Sequence, residues 1–415
     1  MTERKTAGKR CRFCDAELTR TFVDLGRSPL ANSLLSAEDL DRSEATYPLH
    51  AYVCEQCLLV QVQEFAPAAN IFNDYVYFSS YSQLWLDHCR HYASQMVDRY
   101  HLGTGSLVVE VASNDGYLLQ YFKERGISVL GIEPAANVAK VAQSKGISTE
   151  VAFFGIETAT RLRAGGKLAN LMAANNVLAH VPNLHDFVCG FKLLLNPSGT
   201  ATFEFPHLLQ LIQENQFDTI YHEHFSYFSF HMADKIFAKH GLRIYDVEAL
   251  TTHGGSLRIF VCHDDAPLVR TGRAGEMIAK ERAAGLDRIE GHSGFAKSVV
   301  DIKCELLVFL VEAHNTGKSV VGYGAPAKGN TLLNYCGVGP ELLAYTVDIS
   351  PHKQGRYLPG VQIPVHAPER ILETKPDFVL ILPWNIKDEI MARMAAIRQW
   401  GGRFVVPIPK LTILS

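Results

Sequence analysis

Four consecutive residues, Tyr221-His222-Glu223-His224, put a phenol, a carboxylate and two imidazoles into one short stretch, with Phe225, Tyr227 and Phe228 directly behind. Few folds need that density of titratable groups. An imidazole titrates near neutrality and can accept a proton there. A phenol beside it can donate a hydrogen bond to a carbonyl oxygen. A base and a donor together are what proton removal next to a ketone requires. Tyr221 is then the group that polarises a keto oxygen, and His224 the group that takes the proton. The plainer alternative is a polar turn with a satisfied histidine, and these four residues alone do not separate the two.

A second constellation is metal-binding. Cys11-Arg-Phe-Cys14 and Cys54-Glu-Gln-Cys57 are two C-x-x-C knuckles. Each can direct two thiolates at one ion, and two knuckles give the all-sulfur shell of a closed structural zinc site. Such a shell has no open position for chemistry, so the metal should organise the N-terminal part. Val23–Gly26 and Pro29–Asn32 between the knuckles have the pattern of a strand and a turn. Cys89, Cys189, Cys262, Cys304 and Cys336 are isolated and fit bland thiols.

The elements that must position the cluster start at Ser106-Leu-Val-Val-Glu-Val-Ala-Ser-Asn-Asp-Gly-Tyr-Leu-Leu119, an apolar strand, a small polar turn and a helix start. Ala112, Ser113 and Gly116 allow close backbone approach, and Asn114 or Asp115 can begin the helix. A second strand, Val129–Pro134, ends at Glu133, where an acid can accept both ribose hydroxyls of an adenosine ligand. A third apolar run, Leu168–Ala174, ends in Asn175-Asn176, with His180 close behind. The turn lacks a full G-x-G-x-x-G, which disfavours a pyrophosphate there. Thr200–Phe205, Leu242–Val247 and Ser256–Val261 are strand-like, and the Tyr221–His224 cluster falls between the first two. Phe72–Ser80 is an aromatic stretch before a helical run from Trp85 to Tyr100, suited to a lid or to packing between domains.

Lys318–Gly329 repeats the strand–turn–helix pattern, with Gly322, Gly324 and Ala327 at dinucleotide spacing. Its turn suits the pyrophosphate of NAD or of a nucleotide-linked substrate, with Lys328 countering the charge. Leu343–Asp348, Asp377–Pro383 and Arg403–Pro407 are further strands, and Ala266–Asn315 is a charged helical connector that opens a third domain.

The bounds agree with a multidomain enzyme. A chain of 415 residues is long for one core. With 47% hydrophobic and 20% charged residues, net charge −3 and pI about 6.6, it lacks the basic field of a nucleic-acid binder. No apolar run reaches membrane-spanning length, and Met1–Arg10 lacks the apolar core of a signal peptide, so a cytoplasmic location is expected. The expected divisions are a zinc-binding domain over 1–68, a central Rossmann-like domain over 69–265 and a C-terminal Rossmann-like domain over 266–415, an α/β architecture.

The order of motifs resembles one family. The paired knuckles are followed by E-V-A-S-N-D-G, A-N-N-V-L-A-H-V-P, F-D-x-I-Y-H-E-H-F, H-G-G-S-L-R and V-G-Y-G-A-P-A-K. This order resembles the three-domain S-adenosylmethionine-dependent nucleotide-sugar C-methyltransferases, over nearly the whole chain. The resemblance implies methyl transfer to a carbon beside the keto group of a deoxy nucleotide sugar, at carbon 3 of a TDP-4-keto sugar, through an enolate. It implies Tyr75, His180, Tyr221, Glu223 and His224 as the active-site set, with His224 as base. Tyr77 rivals Tyr75, because that segment aligns only with a one-residue shift. The implied cofactor contacts are Ala112, Ser113, Asn114, Asp115, Gly116, Glu133, Pro134, Phe153 and Asn175. The implied substrate contacts are Tyr77, Gly322, Tyr323, Gly324 and Lys328. Ala112 stands where a glycine is common. Two other classes remain to be weighed: an NAD-dependent oxidoreductase or epimerase using the Gly322 turn, and a non-catalytic zinc scaffold.

Overall fold

The structure is a computed structural model that describes residues 9–65, 79–81 and 83–415. Tyr75 and Tyr77 lie outside the described residues, as does most of the aromatic stretch. Among the described residues the strands form three sheets. In the first, β1 (Arg20–Ser28), β2 (Tyr47–Val53) and β3 (Val60–Val62) pair antiparallel, and a fourth strand, β9 (Ser226–Tyr227), joins from far along the chain.

The second sheet is the doubly wound unit expected of the centre. It contains β4 (Leu107–Val111), β5 (Ser128–Ile132), β6 (Thr149–Glu150), β7 (Ala169–Asn175), β8 (Leu195–Pro206), β10 (Leu242–Leu250) and β11 (Ser256–His263), in the order β10-β11-β8-β7-β4-β5-β6. From β6 to β8 the pairing is parallel, and β11 and β10 extend it antiparallel. Strands such as Leu107-Val-Val-Glu-Val are covered on both faces, which is why they read as continuous apolar runs.

The third sheet, in the order β14-β13-β12-β15-β16-β17, holds β12 (Val320–Tyr323), β13 (Thr346–Val347), β14 (Val365–His366), β15 (Phe378–Ile381), β16 (Arg403–Val406) and β17 (Thr412–Leu414), parallel except for β17.

Two details differ from expectation. The helix after β4 begins at Leu119, not at Asn114 or Asp115. Ala112, Asn114 and Gly116 all take left-handed φ, at 56°, 48° and 78°, so the chain loops before it can wind. The expected helical connector is also divided. Its first helix, Gly272–Ala283, packs on β10, and its buried Glu281 accepts from the backbone of His231 (2.8 Å) and from His207 (2.7 Å). Only the second helix, Phe295–Asn315, enters the core of the third unit.

The zinc-binding unit is wedged between the other two. Its sheet faces the third unit, where Phe22 stacks on Phe295 with ring centroids 4.7 Å apart. Its knuckles share a core with the central sheet. The two knuckles are built alike. Asp15 donates its N–H to the Cys11 carbonyl and Leu58 to the Cys54 carbonyl, and both take left-handed φ just past the second cysteine. The four sulfurs lie within 4.8 Å of one another, with Cys11–Cys57 at 3.6 Å and Cys14–Cys54 at 3.5 Å. A zinc bound at ~2.3 Å to four thiolates has tetrahedral edges of about 3.8 Å, so the donor set fits the ion. The Gln61 amide adds a bond to Cys11 Sγ (3.1 Å) and fixes Arg12 N. Zinc is therefore a structural cofactor here. Metal analysis of protein purified without added zinc should give close to one ion per chain, and Cys57→Ser should lower the yield of folded protein.

Candidate active site

A cavity of about 610 Å³ opens at the carboxyl ends of the central strands, where open α/β sheets bind ligands. The ends of β4, β5 and β7 deliver Ala112, Asn114, Glu133, Pro134 and Asn175 to its wall, and Phe153 adds an aromatic face. The Glu133 carboxylate is fixed from both sides, accepting from Asn114 N and Ala135 N, each at 2.9 Å. Burial raises its pKa, and the two backbone donors oppose that rise. The Asn175 side-chain oxygen is buried and has no hydrogen-bond partner among the described residues, which suits a donor on a bound ligand. These groups fit S-adenosylmethionine.

The rest of the predicted turn does not line the cavity. Ser113 is buried against Gly131, Asp115 pairs with Lys145 at 3.1 Å, and Gly116 packs on Ile147. Their packing shapes the loop.

The opposite wall holds the histidine cluster. Phe225 N donates to the Ala179 carbonyl (2.7 Å), Val62 N donates to the Phe225 carbonyl (3.1 Å), and β9 then pairs with β3. The Tyr221–His224 turn is thereby clamped between the zinc unit and the loop that carries His180. His224 Nδ1 lies 2.9 Å from the Thr219 carbonyl, and a carbonyl can only accept, so Nδ1 carries the hydrogen. Nε2 is then the acceptor and takes the Tyr221 hydroxyl at 2.7 Å. The His180 ring meets His224 edge-on, with centroids 4.6 Å apart. Burial drives the His224 pKa well below the usual imidazole value, with help from His180, Lys328 and His253. Burial likewise holds His180 at about 4. Both rings are neutral at pH 7.

Glu223 turns the other way. Burial pushes its carboxyl up to about 7, and its two oxygens accept from Asn32 of the zinc unit at 2.8 and 2.9 Å. Asn32 itself reaches the cavity. His222 is buried and points away from the cavity to the Pro48 carbonyl, against Tyr47.

The third unit contributes Lys328 and Lys353 to the cavity wall. Lys328 is half-buried, donates to Asn385 (2.9 Å) and lies 4.7 Å from the Trp384 ring centroid. Trp384 donates to Asp218 at 2.7 Å, next to the Thr219 that fixes His224. Burial raises Asp218 to about 6 and lowers Lys328. Gly322, Tyr323 and Gly324 are not on the wall. A Cβ on Gly322 would meet Thr346 Oγ1 at 2.6 Å, and one on Gly324 would meet Pro383 at 2.5 Å, so these glycines serve packing. The acid after β13, Asp348, is engaged by Ala325 N and Lys353. Of this turn, Pro326, Ala327 and Lys328 reach the cavity wall, while Gly322 and Gly324 pack against the neighbouring strands. Sequence reasoning gave no role to Asn32, Trp85, Asn176, His253 or Lys353, all of which line the cavity. The H-G-G-S-L-R motif, which begins at His253, was the available signal.

Comparison with known proteins bears on the whole chain. A family model described as "Methyltransferase domain" matches residues 85–247, "C-methyltransferase C-terminal domain" matches 251–409, and "Putative zinc binding domain" matches 11–72. C-methyltransferase NovU of Streptomyces niveus is 36% identical over 405 residues, covering 98% of this chain and 96% of that protein. Among solved structures, the magnesium protoporphyrin IX methyltransferase ChlM of Synechocystis PCC 6803 with bound SAM covers 43% of this chain and 79% of its own, at 14% identity and TM-score 0.34. The CcbJ methyltransferase of Streptomyces caelestis covers 42% and 89%, at 13% identity and TM-score 0.33. The full-length relative and the three consecutive domain matches place this chain in the family of S-adenosylmethionine-dependent C-methyltransferases that carry a zinc-binding unit.

Proposed function

We propose that this C-methyltransferase acts on a carbon adjacent to the keto group of a nucleotide-linked deoxy sugar, carbon 3 of a TDP-4-keto sugar, and that His224 and Tyr221 generate the enolate. The observation that carries this reading is the Tyr221–His224 hydrogen bond on the cavity wall opposite Glu133. Carbon has no lone pair to offer an electrophile, so the chain must first remove a proton. The bound cofactor supplies a sulfonium methyl group that is electrophilic without further activation.

The tautomer of His224 matters here. With Nδ1–H held by Thr219, the Nε2 lone pair faces the cavity and Tyr221. The Tyr221 hydroxyl occupies it. A bound ketone offers that hydroxyl a second acceptor. Turning it to the keto oxygen frees Nε2 for the proton on the adjacent carbon, so a single rotation sets both groups in their roles. His180 packs on the ring and holds its plane. Lys328 brings a positive charge from the third unit toward the substrate diphosphate or the developing oxyanion. Within this reading, the domain divisions 1–68, 69–265 and 266–415 assign the metal, the methyl donor and the nucleotide sugar to separate units. An oxidoreductase on the Gly322 turn has less support, since Gly322, Tyr323 and Gly324 do not line the cavity.

In deuterated water, wild-type enzyme given a 4-keto nucleotide sugar should wash deuterium into the carbon beside the ketone. His224→Asn should slow that exchange and methyl transfer at least about a hundredfold while leaving cofactor affinity intact. Near-normal turnover in this variant would move the base elsewhere. Tyr221→Phe should reduce both rates by the ~100–1000-fold typical of a lost oxyanion donor.

Glu133→Ala should weaken S-adenosylmethionine binding in calorimetry by about 1–3 kcal/mol, because ribose hydroxyls lose their acceptor.

A base whose pKa is lowered stays deprotonated as the pH falls. The acid limb of kcat/KM should therefore lie below pH 6.5, the ordinary imidazole value. Lys328→Met removes a neighbouring positive charge and should move that limb upward.

A further inference from the structure

We propose that His253 is a second hydrogen-bond donor to the substrate oxygen that takes up the enolate charge, a catalytic group alongside Tyr221. This rests on the ketone reading above and adds a residue to it. His253 opens the H-G-G-S-L-R stretch at the start of β11 and lines the same cavity as Tyr221 and His224. Its backbone is left-handed, at φ 55° and ψ 21°. Asn176, just past the end of β7, is left-handed too, at φ 56°. These two strained residues are hydrogen-bonded to each other, Asn176 Nδ2 to His253 Nε2, at 3.1 Å. Left-handed backbone at a non-glycine residue is sparsely populated and persists where the surroundings over-determine it, often at a functional site.

The surroundings here do so. Gly254 and Gly255 follow at φ 89° and 113°, the Trp384 ring lies where a side chain on Gly254 would go, and Gln216 Nε2 donates to the Gly254 carbonyl at 2.6 Å. The hairpin is pressed into place by a residue of the third unit. The Trp85 ring backs the imidazole at 5.6 Å.

The Asn176 bond fixes the ring's chemistry. The amide donates to Nε2, so Nδ1 carries the hydrogen, and no acceptor among the described residues is bonded to it. Burial, with Lys328 nearby, holds the ring at about 4, so it donates as a neutral group. In the proposed step the carbon's proton goes to His224 Nε2. The C–H electron pair becomes the C=C bond, and the carbonyl π pair moves onto oxygen. Tyr221 O–H and His253 Nδ1–H then share that charge until the carbon attacks the methyl group and its C–S bond breaks toward sulfur.

The test measures deuterium exchange beside the ketone and methyl transfer, with S-adenosylmethionine affinity by calorimetry, for wild type, His253→Gly and His253→Asn. Glycine keeps the left-handed turn and deletes the donor. Asparagine tolerates the turn and restores an N–H. The expected result is a ~100–1000-fold loss of both rates in His253→Gly, smaller in His253→Asn, with cofactor affinity within about threefold of wild type. Wild-type exchange in His253→Gly overturns the role. Loss of cofactor affinity in step with rate overturns it too, by placing His253 at the methyl donor. A wild type that neither exchanges nor methylates any 4-keto nucleotide sugar overturns the ketone reading itself, and this role with it.

Discussion

The short pairing of Ser226–Tyr227 against Val60–Gln61 is the contact on which the site depends. Through it the turn bearing Tyr221 and His224 becomes an edge of the zinc unit's sheet, although about 160 residues separate the two strands in sequence. Backbone ladder bonds orient this turn more firmly than side-chain packing would, and catalysis requires groups held within a fraction of an ångström. The zinc site matters to chemistry by this route. Its closed sulfur shell performs no reaction, but it stiffens β2 and β3, and Gln61 touches both the metal cluster and the strand pair. Asn32, from the same unit, holds Glu223 directly behind the histidines.

Burial sets the electrostatics. His180, His224 and His253 face one cavity, each depressed first by desolvation, and His180 and His253 each add a repulsive cost to protonating His224. The result is a cluster of neutral imidazoles that accept or donate at fixed nitrogens. Lys328 reinforces this from the third unit. Burying an ammonium is costly unless it is compensated. Here Asn385, the Trp384 ring and the charge of Asp218 offset part of that cost, and a diphosphate or oxyanion would offset more.

The third unit thereby acts on the central one through Trp384. Its indole nitrogen bonds Asp218, beside the Thr219 carbonyl that fixes the His224 tautomer, and its ring presses on the Gly254 hairpin. One side chain thus supports both histidine-bearing segments. Replacing it would loosen both walls without touching the cofactor half.

Much of this was already determined by the sequence. The knuckle spacing specified the metal, because two C-x-x-C pairs have few other uses. Apolar runs ending in Glu133 and Asn175 specified the central sheet and its cofactor edge, because parallel strands buried on both faces must be apolar throughout. The concentration of Tyr221, Glu223 and His224 marked a titratable cluster by residue type, and two of the three, Tyr221 and His224, stand on the cavity wall. What only the tertiary structure decided concerns distance and direction. Gly322 and Gly324 have dinucleotide spacing, yet Thr346 and Pro383 pack where their side chains would stand and neither glycine lines the cavity, a fact carried by residues far from the motif. Ser113 and Asp115 sit in the cofactor turn but point away from the cavity, since left-handed backbone at Ala112 and Asn114 rotates them out. His253 and Asn32 join the site through contacts between units, and the pattern within a single segment holds no trace of such contacts. Composition and period fix which faces are buried; which buried faces meet is set by the docking of three units around one cavity.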